Sequence, residues 1–376
     1  MDRQDYQDNA VKLCLKERKV ALQWATSLGK SKVGIDMLHH LSLIGKKKFL
    51  IVVAERAHIS NWENEFTKWN YKGIKPLMIC YASLHKIINT SWDIIIFDEA
   101  HHLGSPKRML SIRKINSEYM LFLSATLGDD LLVNLRNLYG HIYSQRVKLD
   151  TAINEGILPH PDIILVPLDL NTEKLSYTYK DSRTKLSVRC SERGFYDHIN
   201  RTMDKFKNIY YTTGQRYYKN LWMNEGSARK RFLGEIKTAA AKEFIKDNLE
   251  GKRYICFCTS IKQVKELGGN TCIHSKMSDT QSVIDGFNSG KTSSLYAVGM
   301  LQEGQNLTGI EAELIIQLDG KERSFIQKSG RAMRAESPLI YIMYCRNTQD
   351  EVYLKNVIDN IELKYIKIFG DENNDK

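Results

Sequence analysis

Three short stretches combine residue types that can hold and split a magnesium nucleotide. The first is Gly29-Lys30-Ser31. A loop of backbone N–H groups leading into a helix can face the β- and γ-phosphates. Lys30 would reach those phosphates and Ser31 would ligate magnesium. The second is Asp98-Glu99-Ala100-His101. Two adjacent carboxylates suit the same ligand, Asp98 holding the metal through its water shell and Glu99 polarising the attacking water. The third is Gln327-Lys328-Ser329-Gly330-Arg331-Ala332-Met333-Arg334. Arg331 and Arg334 share a face if the stretch is helical. A pair of guanidiniums can stabilise the charge spread over a transferring phosphoryl group. A Gly-Lys-Ser turn is common alone, and the usual first glycines are absent here, with Trp24 and Ser27 in their places. Its value comes from the acidic pair downstream.

These groups need strands that end where the ligand sits. Ile94-Ile95-Ile96-Phe97 is too short for a helix and rich in β-branched residues, so it reads as a buried parallel strand with Asp98 just beyond it. Residues 20–24, 49–54, 77–80 and 120–123 read the same way. Each runs into a polar or small loop: 25–31, Glu55-Arg56, 81–84 and Ser124-Ala125-Thr126. Helical patterns intervene, one from about Tyr6 through Ala10, Val11 and Cys14, one after Ser31, and one through Trp62, Phe66 and Trp69. Ligands in open α/β sheets bind beyond the carboxyl ends of the strands, so the expected fold is α/β, doubly wound, with one functional edge.

The pattern repeats after the turn-rich passage 149–161. Apolar runs at 163–166, 253–258, 273–276, 295–298, 314–319 and 339–344 predict a second parallel sheet. Leu354, Val357, Ile361, Tyr365 and Ile368 predict an amphipathic helix that packs on a core. The expected domains are 1–150 and 151–376. Between residues 171 and 252 there are 18 Lys and Arg against 10 Asp and Glu, a balance of +8 within a chain total of +11. Tyr177, Tyr179, Tyr196, Tyr210, Tyr211, Tyr217 and Tyr218 lie in the same stretch. Its periodicity is helical where it can be read, so residues 171–250 are expected to form a basic helical insertion. Basic residues interleaved with aromatics suit a single strand, its backbone tracked by charge and its bases stacked; a solvated hairpin with tyrosines in its core is the alternative.

The 376 residues allow about two domains. No apolar run reaches the ~20 residues of a membrane span. The N-terminus MDRQDYQDNA is neither a secretory signal nor a basic transit peptide, so an intracellular, cytoplasmic setting is expected. The seven cysteines include no CxxC pair, which argues against a zinc site or disulfide framework.

Taken together these stretches resemble a superfamily 2 helicase or translocase built on two RecA-like domains. YQDNAV resembles the adenine-reading helix of that family, with Gln7 in the base-contacting place. Ser27-Leu28-Gly29-Lys30-Ser31 resembles motif I, DEAH motif II and Ser124-Ala125-Thr126 motif III. Ile59-Ser60-Asn61-Trp62-Glu63 with Lys68-Trp69 is similar to the motif Ia region of the Swi/Snf-type branch. Residues 253–258 resemble motif IV, and 299–307 motif V, with Gly304 and Asn306 at matching places. QxxGRxxR from Gln327 to Arg334 matches motif VI in full. The resemblance covers most of the chain outside about 171–224. It implies ATP and Mg²⁺ between two domains. Glu99, Lys30, Asp98, Arg331, Arg334 and Gln327 would then be catalytic, and Gln7, Ser27, Leu28, Gly29, Lys30, Ser31, Gly304, Arg331 and Arg334 would hold nucleotide. Ser31 and Asp98 would serve the metal, and His101, Ser124 and Thr126 would couple nucleotide to strand. Arg56, Tyr81, Ser260 and Asn306 would touch nucleic acid. The implied partner is DNA, with RNA as a second candidate, no membrane and no obligatory oligomer. A compact stand-alone motor of this kind suits a phage. An ATP-gated clamp or scaffold that does not translocate stays open from the residues alone, as does an RNA helicase.

Overall fold

The computed structural model describes residues 2–181, 184–277, 279–298, 307–320, 325, 328–329, 333, 337–358 and 363–370. Chain contacts divide it into two compact units, the first comprising Met1–Pro161, Met300–Gly309 and Arg323–Pro338, the second the remainder. Each carries its own parallel sheet.

In the first unit the strands are β1 (Lys19–Trp24), β2 (Phe49–Val53), β3 (Leu77–Cys80), β4 (Ser91–Asp98), β5 (Asn116–Ser124) and β6 (Tyr143–Val147). Their order is β3-β2-β4-β5-β1-β6, and every pairing is parallel. Side chains alternate between the faces, so both faces must be covered. Val20, Leu22, Ile51, Val53, Ile94, Ile96, Leu121 and Leu123 join one buried cluster. Helices α1 (Arg3–Glu17), α2 (Lys30–Leu43) and α3 (Arg56–Lys68) lie over that face. Ala21, Leu50, Val52, Ile95, Phe97, Met120 and Phe122 join the other cluster, under α4 (Pro106–Ile112) and α5 (Asp129–Tyr139). α1 starts earlier than its apolar pattern, because Asp2 and Asp5 form a capping box. Helix α6 (Leu149–Asn154) and the residues after it belong to this unit, since Leu149, Ala152, Ile153, Ile157 and Leu158 are buried in its core. The compact unit therefore runs past residue 150, to Pro161.

The second unit contains β7 (Asp162–Leu168), β8 (Tyr177–Lys180), β9 (Ser187–Cys190), β10 (Tyr254–Cys258), β11 (Cys272–Ile273), β12 (Ser294–Val298), β13 (Ala312–Ile315), β14 (Leu339–Cys345) and β15 (Ile366–Ile368). Seven of these form a parallel sheet in the order β11-β12-β10-β13-β14-β7-β15. The expected insertion is not helical throughout: it opens with the antiparallel hairpin β8–β9. Tyr179 stacks on His198 and Tyr177 on Phe195, so the hairpin is held to the helix behind it. Then come α7 (Glu192–Thr213), α8 (Arg216–Ile236) and α9 (Thr238–Asn248). Ser191 caps α7, and Gly214 in the left-handed region ends it. The expected closing helix is also corrected. It spans Gln349–Ile358, and Tyr365 and Ile368 lie outside it. Ile361 lies outside the described residues. Residues 366–368 instead pair with β7, whose outer backbone groups would otherwise face solvent.

Candidate active site

The first unit assembles its chemistry on the carboxyl edge of β1, β4 and β5. β1 ends at Trp24, and the chain turns through 25–29 into α2. The turn needs two left-handed residues, Ser27 at φ 67° and Gly29 at φ 87°. Gly29 has a second reason to be glycine: an added Cβ would lie 2.1 Å from Gln7 Nε2. Gln7, buried in α1, donates to the Leu28 carbonyl at 3.0 Å. The glutamine thus braces the loop from behind. Lys30 opens α2 and donates to the Trp24 and Ala25 carbonyls at 2.9 and 3.2 Å. Ser31 follows on the first turn, where the first amides of a helix have no intrahelical acceptor and can face an anion.

Asp98 ends β4, and Glu99 breaks the strand in the left-handed region at φ 51°. That turn lets adjacent carboxylates diverge. Partial burial, then the neighbouring Glu99 carboxylate, push the Asp98 carboxyl up to about 6. The Trp62 indole and the Lys30 ammonium pull the other way. Lys30 and Asp98 thus act on each other electrostatically at this edge. Ser31 and Asp98 offer a hydroxyl and a carboxylate, the hard oxygen donors magnesium takes, and the raised Asp98 carboxyl is one that a cation would restore to its charged form.

Two buried aromatics fix this corner. Trp62, 2% exposed, donates its indole N–H to Asp98 Oδ2 at 2.9 Å. Tyr81, 1% exposed, donates its hydroxyl to the Asp98 carbonyl at 2.9 Å. Tyr81 is therefore packed in the core, not presented to a nucleic-acid strand as expected. The apolar run before it ends one residue earlier, and sequence alone did not reveal that the ring folds under β4. Trp62 was visible as part of a helical pattern and of a motif Ia likeness, but its bond to Asp98 joins residues 36 positions apart.

A polar relay leads away from the acids. His101 Nδ1 lies 3.3 Å from Glu99 Oε2 and 3.2 Å from Ser124 Oγ. Ser124 Oγ donates to the Thr126 carbonyl at 3.0 Å, and the Thr126 amide lies 3.2 Å from that same oxygen. The structure thus brings together Glu99, His101, Ser124 and Thr126. Arg56 is exposed in the first turn of α3, beyond β2. In the second unit Ser260 caps α10 (Ile261–Gly268), its hydroxyl accepting from the Gln263 amide. Gly304, Asn306, Gln327, Arg331 and Arg334 lie outside the described residues. Their neighbour Met333, 2% exposed, belongs to the first unit's core.

Residues 236–336 match the family model of the helicase conserved C-terminal domain. The DNA 3'-5' translocase XPB2 of Sulfurisphaera tokodaii is 21% identical over 367 residues, spanning 88% of this chain and 78% of that protein. The helicase domain of Pyrococcus furiosus Hef superposes with a TM-score of 0.55 at 13% identity, covering 93% of this chain and 97% of that one. The ATP-dependent Type ISP restriction-modification enzyme LlaBIII, bound to DNA, superposes with a TM-score of 0.57 at 12% identity. It covers 98% of this chain, which spans 31% of that much longer one. The two parallel sheets are tandem RecA-like domains.

Proposed function

We propose that this chain, whose residues 236–336 match the helicase C-terminal model and which is similar over most of its length to a DNA translocase, is a superfamily 2 helicase or translocase that hydrolyses ATP to move along or remodel DNA inside the cell. What supports the reading most is the shared corner of the first unit. There the loop lysine acts on Asp98, and Glu99 is tied through His101 to the Ser124–Thr126 turn. Lys30 and the first amides of α2 hold the phosphates, and Gln7 braces the loop on the side where a base would lie. Ser31 and Asp98 would hold magnesium, which supplies charge neutralisation at the phosphoryl oxygens. Glu99 accepts a proton from the attacking water. His101, Ser124 and Thr126 carry the state of Glu99 to the next strand's turn. Arg331 and Arg334 complete the charge stabilisation; this role rests on the QxxGRxxR resemblance.

DNA is preferred to RNA because a relative is a DNA translocase by name and LlaBIII is bound to DNA. The basic α7–α8 arm is the proposed nucleic-acid face, with Arg56 and Ser260 as further contacts. No described helix is long and apolar enough to cross a membrane, and the mechanism needs no oligomer. The test is ATP turnover with single-stranded DNA, duplex DNA and RNA, for the wild type and Lys30→Ala. DNA is expected to raise turnover, and Lys30→Ala to lower it about 10²-fold or more while the protein stays folded. Turnover indifferent to every nucleic acid, or undiminished in Lys30→Ala, would overturn the proposal.

A further inference from the structure

Lys237 is the residue between α8 and α9, and it is 1% exposed. It stands where the helicase C-terminal match begins, so it joins the arm to that domain. Its ammonium meets four oxygens from three parts of the second unit. They are Asp350 Oδ2 at 2.6 Å, Gln317 Oε1 at 2.9 Å, the Ile316 carbonyl at 3.0 Å and the Met343 carbonyl at 3.2 Å. Asp350, 2% exposed, is itself held, accepting from Gln317 Nε2 at 2.7 Å and from the Cys345 amide at 3.0 Å.

The position of this pair matters. Ile315 ends β13 and pairs with Ile342, so Ile316 lies just past the carboxyl end of β13 and Met343 two residues before that of β14, its neighbour in the sheet. The chain between those strands carries Gln327, Gly330, Arg331 and Arg334. Lys237 therefore grips the first residues of the segment that bears the arginines. Further polar links from the arm reach the same edge. Arg229 donates to Asn200 Oδ1 at 2.8 Å and to Gln349 Oε1 at 2.9 Å, and the Gln349 amide donates to the Tyr196 hydroxyl at 2.8 Å. Lys230 lies 3.9 Å from Asp319, three residues past Ile316.

A buried ion pair is a poor source of stability, since two well-packed apolar side chains of similar volume usually hold as well or better. Its distinctive property is that it permits one arrangement and penalises others. We infer that Lys237 and Asp350 are a positioning pair that transmits the placement of the α7–α8 arm to the strand end leading into QxxGRxxR. Nucleic acid seated on the arm then acts on the end of β13, the strand that precedes QxxGRxxR in the chain. This rests on the proposed motor reading.

The test replaces both charges at once, Lys237→Met with Asp350→Leu, so that no lone charge is buried. Three quantities are read: affinity for single-stranded DNA by fluorescence anisotropy, ATP turnover without DNA, and turnover with saturating DNA. Affinity and basal turnover are expected to stay near wild type, while stimulation by DNA falls about five-fold or more. Wild-type stimulation in the double variant would overturn the inference and leave the pair a packing device. Should the double variant fail to unfold cooperatively, Arg229→Met breaks an adjacent arm link without orphaning a buried acid. Full stimulation there would equally overturn it. A wild type that DNA does not stimulate removes the motor reading, and this inference with it.

Discussion

Asp98 is pulled in opposite directions. Burial and Glu99 favour its neutral form, whereas Trp62 and Lys30 favour its carboxylate, and the balance leaves it at about 6. A carboxyl raised above its unfolded value binds more protons folded than unfolded in that interval. Its penalty is absent below about pH 4, grows as pH rises toward 6, and persists above. Asp98→Asn keeps an acceptor for Trp62 and removes that penalty. The variant is expected to be more stable than the wild type at pH 7 by on the order of 1–3 kcal/mol, with the gap closing near pH 4. Thermal melts of both proteins across that range check it, and equal melting temperatures at pH 7 would refute it. Magnesium with a nucleotide should shrink the gap by favouring the wild-type carboxylate.

At the scale of elements, the α7–α8 arm is the part least like a domain. Its helices are 22 and 21 residues long, about 30 Å each at the usual rise. Its base is closed by Tyr196, Ile199, Met203, Phe232 and Leu233. None of residues 204–231 is buried. Tyr211 and Tyr217 are 69% and 65% exposed, while Lys207 lies over Trp222 and Lys219 over Tyr210. Exposed rings flanked by ammonium groups are what stacked bases and a phosphate backbone need. Replacing both Tyr211 and Tyr217 by Ala should weaken single-stranded DNA binding about tenfold or more without lowering the melting temperature. Unchanged affinity would return the arm to a solvated hairpin. That the stretch was basic, aromatic and largely helical could be read from residue types. That its tyrosines divide between a packed base and an open end could not, because both halves share one composition.

For the whole molecule, the charge of +11 makes binding to a polyanion sensitive to salt. Affinity for single-stranded DNA should fall roughly tenfold or more between about 50 and 200 mM salt, measured by anisotropy, and a flat profile would contradict a backbone-tracking face. Runs of β-branched residues ending in polar turns sufficed to announce two parallel sheets and the edge that carries chemistry. Such periodicity is local and survives in any context. Gly-Lys-Ser, Asp-Glu-Ala-His and Ser-Ala-Thr were legible for the same reason. Other features depended on distant partners. Residues 366–368 became a strand because β7 offered an open ladder, although their spacing also fits a helix. Tyr81 became a support for Asp98 because the sheet closed over its ring. Lys237 and Asp350, more than a hundred positions apart, look like surface charges until folding removes water from both. Short-range pattern, then, is written in the chain itself, whereas the worth of a buried polar group depends on what folding brings beside it.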